Sequence, residues 1–265
     1  MAYKRSKKLI VANWKMNPVN LAEAEKMFLE IKKLAGRAQN VQTVVCPPFV
    51  FLSPMSKLVS GHRAVLGAQD VFYERNGAYT GEVSPSQLLG LGVNYVILGH
   101  SERREMGETD AFVGRKVGTA LKDGLVTILC VGERVRDDAG VFLDTIKSQL
   151  EVSLADIPRR YFLNLVVVYE PLWTISTHAS GTESPEDMLQ MSIFIRKTLG
   201  NLCGKDIAVK IPILHGGSVD ETNIAGYISR GGVNGALVGK ASLRPEIFGK
   251  IIKIANELQL EDWRA

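Results

Sequence analysis

Apolar runs recur along the whole chain at intervals of roughly 30 residues, the size of a strand–helix–strand unit. Most are rich in β-branched residues and lack polar alternation, which is typical of parallel strands that are buried on both faces. The runs are residues 9–12, Val41–Cys46, Ala64–Ala68, Tyr95–Leu98, Val126–Val131, Leu165–Tyr169, 211–214 and 236–238. The pattern predicts eight strands.

The segments between these runs carry helical signals. Residues 21–34 have apolar side chains at helical spacing with charged residues between them, as in a helix with one buried face. Ser84 and Ser184 each precede a proline, which predicts a capping residue followed by the first helical residue. Pro245 opens the last predicted helix, and the shortest helix candidate lies near residues 53–61.

Eight strands that alternate with helices in a chain of 265 residues predict a (β/α)8 barrel of the α/β class. A doubly wound open sheet is the competing architecture. No G-x-G-x-x-G motif follows the first strand, which weakens the dinucleotide-binding version of that sheet. No linker or low-complexity tract interrupts the pattern, so we expect a single domain over residues 1–265.

Composition and charge exclude several classes of protein. The formal net charge is only +4, and lysine and arginine form no stripe interleaved with aromatic residues, so we expect no nucleic-acid partner. No apolar stretch reaches membrane-spanning length, so we expect no membrane association. Three separated cysteines without metal-ligand spacing indicate reduced thiols in a cytoplasmic protein.

Polar residues follow several of the predicted strands directly. Asn13 and Lys15 follow the first strand, His100 and Glu102 the fourth, and Glu170 the sixth. Singly, they are explained as a solvated charge, a satisfied polar residue, a helix cap or a carboxylate that binds nearby backbone. In a barrel, however, all of these positions converge on one face, where active sites of this fold lie. Together they would supply a base, an imidazole, an ammonium group and an amide.

Glycine-rich turns follow the last two strands. Gly217 and Ser218 belong to a Gly-Gly-Ser turn after the seventh strand, and Gly239 and Lys240 follow the eighth. Backbone N–H groups of such turns bind anions, and these two loops are the usual phosphate location in such barrels. No carboxylate cluster or His-x-x-x-His motif suggests a metal. The sequence therefore predicts a small phosphorylated substrate and proton chemistry without a metal or cofactor.

Three motifs resemble the signature motifs of the triosephosphate isomerase family, in family order. They are Asn13-Trp14-Lys15-Met16-Asn17, Leu98-Gly99-His100-Ser101-Glu102-Arg103-Arg104 and Tyr169-Glu170-Pro171-Leu172-Trp173. Cys130-Val131-Gly132-Glu133 and Gly216-Gly217-Ser218-Val219 extend the resemblance over nearly the whole chain. The resemblance implies a TIM barrel that interconverts dihydroxyacetone phosphate and glyceraldehyde 3-phosphate through an enediol(ate), a step of glycolysis and gluconeogenesis.

The resemblance also implies a role for each site residue. Glu170 would remove the proton beside the carbonyl, and His100 would donate to the carbonyl oxygens as a neutral imidazole. Lys15 would stabilise the developing oxyanion, with Asn13 donating a hydrogen bond and Glu102 orienting this side of the site. The resemblance further implies the homodimer that is usual in the family, in which the loop that carries Thr80 and Glu82 reaches into the partner's site.

That loop, residues 69–82, carries three aromatic residues with little hydrophobic period. Aromatic residues on a long loop indicate either a partner surface or a loop folded back on its own barrel. The sequence leaves both interpretations open.

The chain departs from the family pattern at the residues that would hold the phosphate. The small, polar loop after Glu170 suits a mobile lid, with the phosphate-contacting backbone at Ser176. His215 stands where the family usually has the tyrosine that latches the lid, and Lys240 replaces the second glycine of the usual pair. The first interpretation is an active triosephosphate isomerase. The alternatives are a non-catalytic phosphate-binding barrel and an isomerase of another small sugar phosphate.

Overall fold

A computed structural model describes residues 8–137, 139–174 and 183–259. Eight parallel strands close into a barrel in sequence order, with β1 paired to both β2 and β8. The strands are β1 Lys8–Asn13, β2 Val41–Cys46, β3 Ala64–Ala68, β4 Tyr95–Leu98, β5 Val126–Val131, β6 Leu165–Tyr169, β7 Ile213–His215 and β8 Gly235–Val238. The predicted (β/α)8 barrel is confirmed, and the β1–β8 pairing excludes an open sheet.

Helices alternate with the strands in the described parts of the chain. They are α1 Leu21–Ala35, α2 Phe49–Ser56, α3 Pro85–Gly90, α4 Ser101–Glu105, α5 Asp110–Asp123, α6 Val141–Ser153, α7 Pro185–Cys203, α8 Lys205–Ala208, α9 Ile224–Arg230 and α10 Pro245–Glu257. Ser84 and Ser184 cap α3 and α7 as expected, and each forms a reciprocal capping box with the residue three positions later.

The strands are buried on both faces because the barrel has two apolar layers. Inside the barrel, Leu9 and Val11 of β1 pack with the inward side chains of the other strands. The alternating residues Ile10 and Ala12 belong to a second, larger core between the strands and the helices. Successive side chains of a strand point to opposite faces. Uninterrupted apolar runs are therefore what this architecture requires.

One helix prediction was wrong both in the position of the helix and in its length relative to the other helices. The candidate near residues 53–61 is the helix α2, Phe49–Ser56, and the helices α3, α4, α8 and α9 are all shorter. Pro48 occupies the capping position with an extended ψ of 145°, and the helix therefore starts at Phe49, four residues before Ser53. Pro54 lies inside the helix, which ends two residues later, because proline cannot donate to the helical hydrogen-bond ladder.

The loop after β3 is partly folded on its own barrel. Phe72 is buried, and the ring of Tyr73 meets Phe112 of α5 edge-on at 5.4 Å. Tyr79 is 42% exposed, and Thr80 and Glu82 at the tip are exposed as well. Half of the loop therefore supports the folded-back interpretation, whereas its tip stays open to solvent.

All three cysteines are buried and free. Within the described ranges, no helix combines the length and the apolar character needed to cross a bilayer.

Candidate active site

The carboxyl ends of the strands surround a cavity of about 610 Å³. Its walls contain every candidate catalytic residue and the two glycine turns predicted from the sequence. These lining residues include Asn13, Lys15, His100, Glu102, Glu170, Gly217, Ser218, Gly239 and Lys240. Ser176, the remaining candidate for phosphate binding, lies outside the described residues, as does most of the predicted lid.

Lys15 is held in an unusual backbone conformation at the end of β1. Its φ is +53°, a left-handed value that costs a non-glycine residue roughly 1–2 kcal/mol. The side chain of Asn13 accepts a hydrogen bond from the Lys15 backbone N–H at 3.0 Å, and Gln69 donates to the Lys15 carbonyl at 2.8 Å. The ammonium group is then directed to Glu102, at 2.7 Å between Nζ and Oε1.

His100 follows β4 and caps the short helix α4. The backbone N–H of Glu102 donates to Nδ1 at 3.2 Å, so Nδ1 is an acceptor and carries no proton in this arrangement. The proton of the neutral ring therefore lies on Nε2, which is 3.2 Å from Oε1 of Glu170. The ring presents an N–H donor to the cavity.

Glu170 follows β6 directly and is buried. Its backbone N–H donates to Val131 at 2.8 Å, which continues the ladder between β6 and β5. Its second carboxylate oxygen accepts from the backbone N–H of Ser101 at 3.0 Å. The carboxylate is thus fixed between the neighbouring strand and the turn that carries His100.

Two glycines make room for this carboxylate. A Cβ atom at Gly132 would overlap the carbonyl oxygen of Glu170, and a Cβ at Gly216 would lie 2.9 Å from the Glu170 Cγ. Both distances are too short for a side chain, so any other residue would displace Glu170. The sequence shows these glycines after strands five and seven, but not that they flank the carboxylate.

The glycine turn after β8 lies on the Lys15 side of the cavity. Gly239 lies near Lys15, since a Cβ there would be 3.6 Å from the Lys15 Cε. Lys240 is exposed and starts a short 3-10 turn over Lys240–Leu243. Lys15 and Asp156 are the non-glycine residues with positive φ in the described chain. Lys240 is therefore accommodated without the conformation that would demand glycine.

This arrangement is suited to proton transfer on an anionic substrate. A carboxylate, a neutral imidazole N–H and an ammonium group face one cavity, and the backbone turns beside them suit an anion. The sequence model of the triosephosphate isomerase family matches residues 8–255. The chain belongs to the triosephosphate isomerase family.

Individual triosephosphate isomerases are similar to this chain over nearly their whole length. That of Chloroflexus aurantiacus is 42% identical over 246 residues, which cover 92% of this chain and 97% of the relative. That of Caldanaerobacter subterraneus subsp. tengcongensis is 41% identical, with 92% and 98% covered. That of Carboxydothermus hydrogenoformans is 41% identical over 252 residues, with 93% and 98% covered.

The sequence did not reveal how the barrel holds the segment after Glu170. The buried carboxylate of Glu133 accepts from the hydroxyl of Tyr169 at 2.6 Å and from the indole N–H of Trp173 at 3.0 Å. Burial raises the pKa of Glu133, and the hydrogen bond from Tyr169 opposes that rise. Glu133 thereby ties β6 to the start of the loop, a role that its position after strand five only hinted at.

A buried charge network fixes the helix α4, which carries Glu102. Lys116 of α5 is fully buried and contacts Asp70 at 2.8 Å and Glu108 at 2.6 Å. Arg103 of α4 lies 2.9 Å from Asp70. Burial raises the pKa of Asp70, while Lys116 acts in the opposite direction. No local sequence pattern indicated this network, because its members come from three separate segments.

Proposed function

We propose that this chain interconverts dihydroxyacetone phosphate and D-glyceraldehyde 3-phosphate through an enediol(ate), with no cofactor or metal. The observation that carries the proposal is the convergence of Glu170, His100 and Lys15 on one cavity. Membership of the triosephosphate isomerase family and relatives about 41% identical over 92% of the chain support the same activity.

In the proposed reaction, Glu170 removes a proton from the carbon next to the substrate carbonyl. The electron pair moves onto the carbonyl oxygen, which accepts a hydrogen bond from Nε2 of His100. The protonated Glu170 then returns its proton to the adjacent carbon, while the hydroxyl proton on the carbon that was first deprotonated moves to the former carbonyl oxygen by way of Nε2 of His100, so that no atom is gained or lost. The carboxylate must first exchange its bond to the Ser101 N–H for the substrate.

In this scheme, Lys15 and the residues that hold it stabilise the negative charge that develops on the substrate. The ammonium group of Lys15 stabilises the oxyanion, and Asn13 keeps Lys15 in its left-handed conformation. Glu102 positions the ammonium group through their 2.7 Å contact. Their side chains are 41% and 48% exposed, so this ion pair orients the ammonium group and adds little stability.

The substrate phosphate is assigned to the turns after β7 and β8. Gly217, Ser218 and Gly239 offer backbone N–H groups, and the Lys240 side chain adds a point charge. Ser176 remains a predicted contributor outside the described residues.

We further propose a cytoplasmic homodimer. Large apolar side chains are exposed in the three segments that follow the adjacent strands β1, β2 and β3, with Met16 at 91%, Val50 at 76% and Tyr79 at 42% exposure. Such a patch is typical of a protein interface. A second copy of the chain would cover it with the exposed tip at Thr80 and Glu82.

The three free, buried cysteines suit a reducing compartment. We also propose that residues 1–265 form a single domain.

An assay with D-glyceraldehyde 3-phosphate, coupled to reduction of dihydroxyacetone phosphate, tests the activity directly. Turnover that disappears in Glu170→Gln supports the proposal. A purified, folded protein that binds 2-phosphoglycolate but does not turn over would instead favour the non-catalytic barrel. Turnover only with a different sugar phosphate would replace the substrate.

A further inference from the structure

A carboxyl group and an imidazole face each other in the protein interior, outside the proposed chemistry. Glu183 directly precedes the cap of α7, and His215 is the last residue of β7. Oε2 of Glu183 lies 3.2 Å from Nδ1 of His215, and both side chains are 1% exposed. Neither residue lines the cavity that contains Glu170.

Both residues are held firmly in place. The ring of His215 stacks on Tyr227 of α9, with 3.9 Å between the ring centroids. The Tyr227 hydroxyl donates to the backbone carbonyl of Glu183 at 3.0 Å. The capping box of Ser184 with Asp187 fixes the chain immediately after Glu183. The two side chains are therefore presented to each other by β7, α7 and α9 together.

The pair has little other polar support. Within the described chain, neither the Glu183 carboxylate oxygens nor the His215 ring nitrogens make a conventional hydrogen bond. Two unpaired buried groups cost roughly 1–3 kcal/mol each. A proton on the Glu183 carboxyl group supplies the missing donor toward Nδ1.

Burial is the main reason for that proton, while the surrounding charges act in both directions, with Arg136 opposing the proton and Glu133 and Asp187 favouring it. The ionisable groups that interact with Glu183 are Glu133 and Arg136 from the segment after β5, Tyr169 of β6, Asp187 of α7 and Tyr227 of α9. They include two carboxylates and a single guanidinium, which already interacts with both Glu133 and Asp187. An ionised Glu183 adds a third carboxylate to this group.

His215 also touches the glycine turn in the cavity wall. A Cβ at Gly217 would lie 2.7 Å from Cε1 of His215 and 3.1 Å from Cγ of Pro171. The ring edge therefore lies directly beneath the glycine turn. The backbone N–H of Gly216 donates to the carbonyl of Tyr169 at 2.8 Å, so a displaced turn also disturbs the end of β6, which Glu170 follows directly.

We propose that Glu183 and His215 hold one proton between them and thereby support the phosphate-binding turn Gly216–Gly217 as positioning residues. The inference deepens the proposed function, because it concerns the same phosphate site. It makes the affinity for a phosphorylated ligand depend on the protonation of a pair that never touches the ligand.

The direction of the pH dependence follows from burial. Burial raises the pKa of Glu183 to about 8, and burial lowers the pKa of His215 to about 3. Near neutral pH both groups are uncharged, and the carboxyl O–H donates to Nδ1. At higher pH Glu183 loses the proton and becomes an anion beside Glu133 and Asp187, so the contact that holds the ring beneath Gly217 is lost.

The test measures the binding of 2-phosphoglycolate by calorimetry at several pH values in three proteins. Its phosphate group is fully ionised above about pH 7.5, because the second pKa of a phosphate ester is near 6. The native chain, Glu183→Gln and Glu183→Leu are compared. Glutamine keeps an N–H donor for Nδ1 and cannot titrate, whereas leucine fills the space without a donor.

We expect the native dissociation constant to rise about tenfold between about pH 7.5 and 9.5, and that of Glu183→Gln at most about twofold. Glu183→Gln therefore binds more tightly than the native chain at the upper pH. Glu183→Leu binds weakly at both values while still showing a cooperative thermal transition. Identical pH profiles for the native and glutamine proteins would overturn the inference.

Failure of the inference is separable from failure of the proposed function. If the protein turns over and the native and Glu183→Gln proteins show the same pH dependence of 2-phosphoglycolate affinity, the proposed isomerase activity stands and the proton-dependent support of the turn is wrong. If the affinity for 2-phosphoglycolate depends on pH as expected but no turnover is found, the support of the turn by the pair stands and the proposed isomerase activity is wrong. If 2-phosphoglycolate binds to none of the three proteins, the phosphate site and its support are both wrong.

Discussion

Oε2 of Glu170 accepts a hydrogen bond from the backbone N–H of Ser101 at 3.0 Å. The same turn carries His100, whose Nε2 lies 3.2 Å from the other oxygen of Glu170. The proposed base and the proposed hydrogen-bond donor therefore share one support, and any movement of this turn changes both. The position of the Glu170 carboxylate is accordingly the most sensitive geometric quantity in the site.

Shortening this side chain tests that sensitivity. Glu170→Asp retracts the carboxylate by one methylene, and a misplacement of about 1 Å lowers a rate by roughly 100-fold. We expect kcat to fall to that extent, while 2-phosphoglycolate binding and the thermal transition stay near native values. The measurement is steady-state kinetics with glyceraldehyde 3-phosphate. Near-normal turnover would remove Glu170 as the base.

Lys240 is expected to act on binding rather than on chemistry. Lys240→Gly removes a point charge beside the proposed phosphate, so KM should rise roughly tenfold, about 1.4 kcal/mol, with kcat little changed. The effect should shrink as salt is added. Lys210→Gly is the matched control, because Lys210 is exposed in the turn before β7, at the other end of the barrel. Equal 2-phosphoglycolate affinity in both variants at low salt would make Lys240 a solvated surface charge.

The exposed apolar patch predicts self-association. Sedimentation at micromolar concentration should give twice the chain mass of 29.1 kDa. Val50→Asp places a charge on the patch and should yield monomers. The helix itself tolerates the change, because an acidic residue in the first turn is favourable. Val135→Asp, at a position 70% exposed after β5, should leave the dimer intact. A fully active monomer would contradict a partner loop in the site.

The strands could be predicted because burial on both faces leaves a direct trace in the sequence. Five of the eight runs coincide with the strand bounds in the structure. β7 differs, since the predicted run covered residues 211–214 and the strand is Ile213–His215. Pro212 cannot donate to the ladder, which delays the start. His215 was not counted, because an apolar pattern does not include a histidine that is buried in a strand.

The catalytic candidates could be predicted for a similar reason, since strand ends of a barrel share one face. The buried contacts that hold the neighbouring segments in place could not be predicted. Glu133 reaches Tyr169 and Trp173, and Glu183 reaches His215, only because neighbouring strands bring separate segments together. Such contacts have no fixed spacing along the chain, and a single buried carboxylate looks like any other acidic residue in the sequence.

The Glu183–His215 pair makes a prediction about stability as well as binding. Unfolded, the two groups have their ordinary pKa values of 4.5 and 6.5, and folded they have values of about 8 and about 3. Between 4.5 and 6.5 the pair holds one proton in both states, so its contribution is constant. Above 6.5 only the folded state keeps the proton, so stability falls with rising pH, by about 2 kcal/mol up to pH 8 at about 1.4 kcal/mol per unit.

Glu183→Gln isolates this effect. In that variant only His215 titrates, and the unfolded state alone binds its proton below pH 6.5. The free energy of unfolding of the variant should therefore be independent of pH above pH 6.5 and fall below it. That of the native chain should be constant from pH 4.5 to 6.5 and fall above pH 6.5. Denaturant unfolding across this range is the measurement. Parallel pH profiles would show that the pair does not share a proton.

The buried network around Lys116 predicts a large loss of stability when its cation is removed. Lys116→Met leaves Asp70 and Glu108 buried without that partner, which should cost about 3–5 kcal/mol of unfolding free energy at neutral pH. The loss should be smaller in acid, where the carboxylates are protonated. Lys122→Met, an exposed position in the last turn of the same helix, is the control. A loss equal to that of the control would mean that Arg103 alone compensates both acids.

The pairing of β1 with β8 has a consequence for the order in which the protein matures. Lys15 and Gly239 face each other across this seam, although they come from opposite ends of the sequence. During synthesis the early strands leave the ribosome with one edge of β1 unpaired, and the seam closes only after β8 has emerged. Binding of a phosphorylated ligand at the turns after β7 and β8 is therefore a late event. A nascent chain that is arrested before β8 has no complete site with which a ligand could stabilise it.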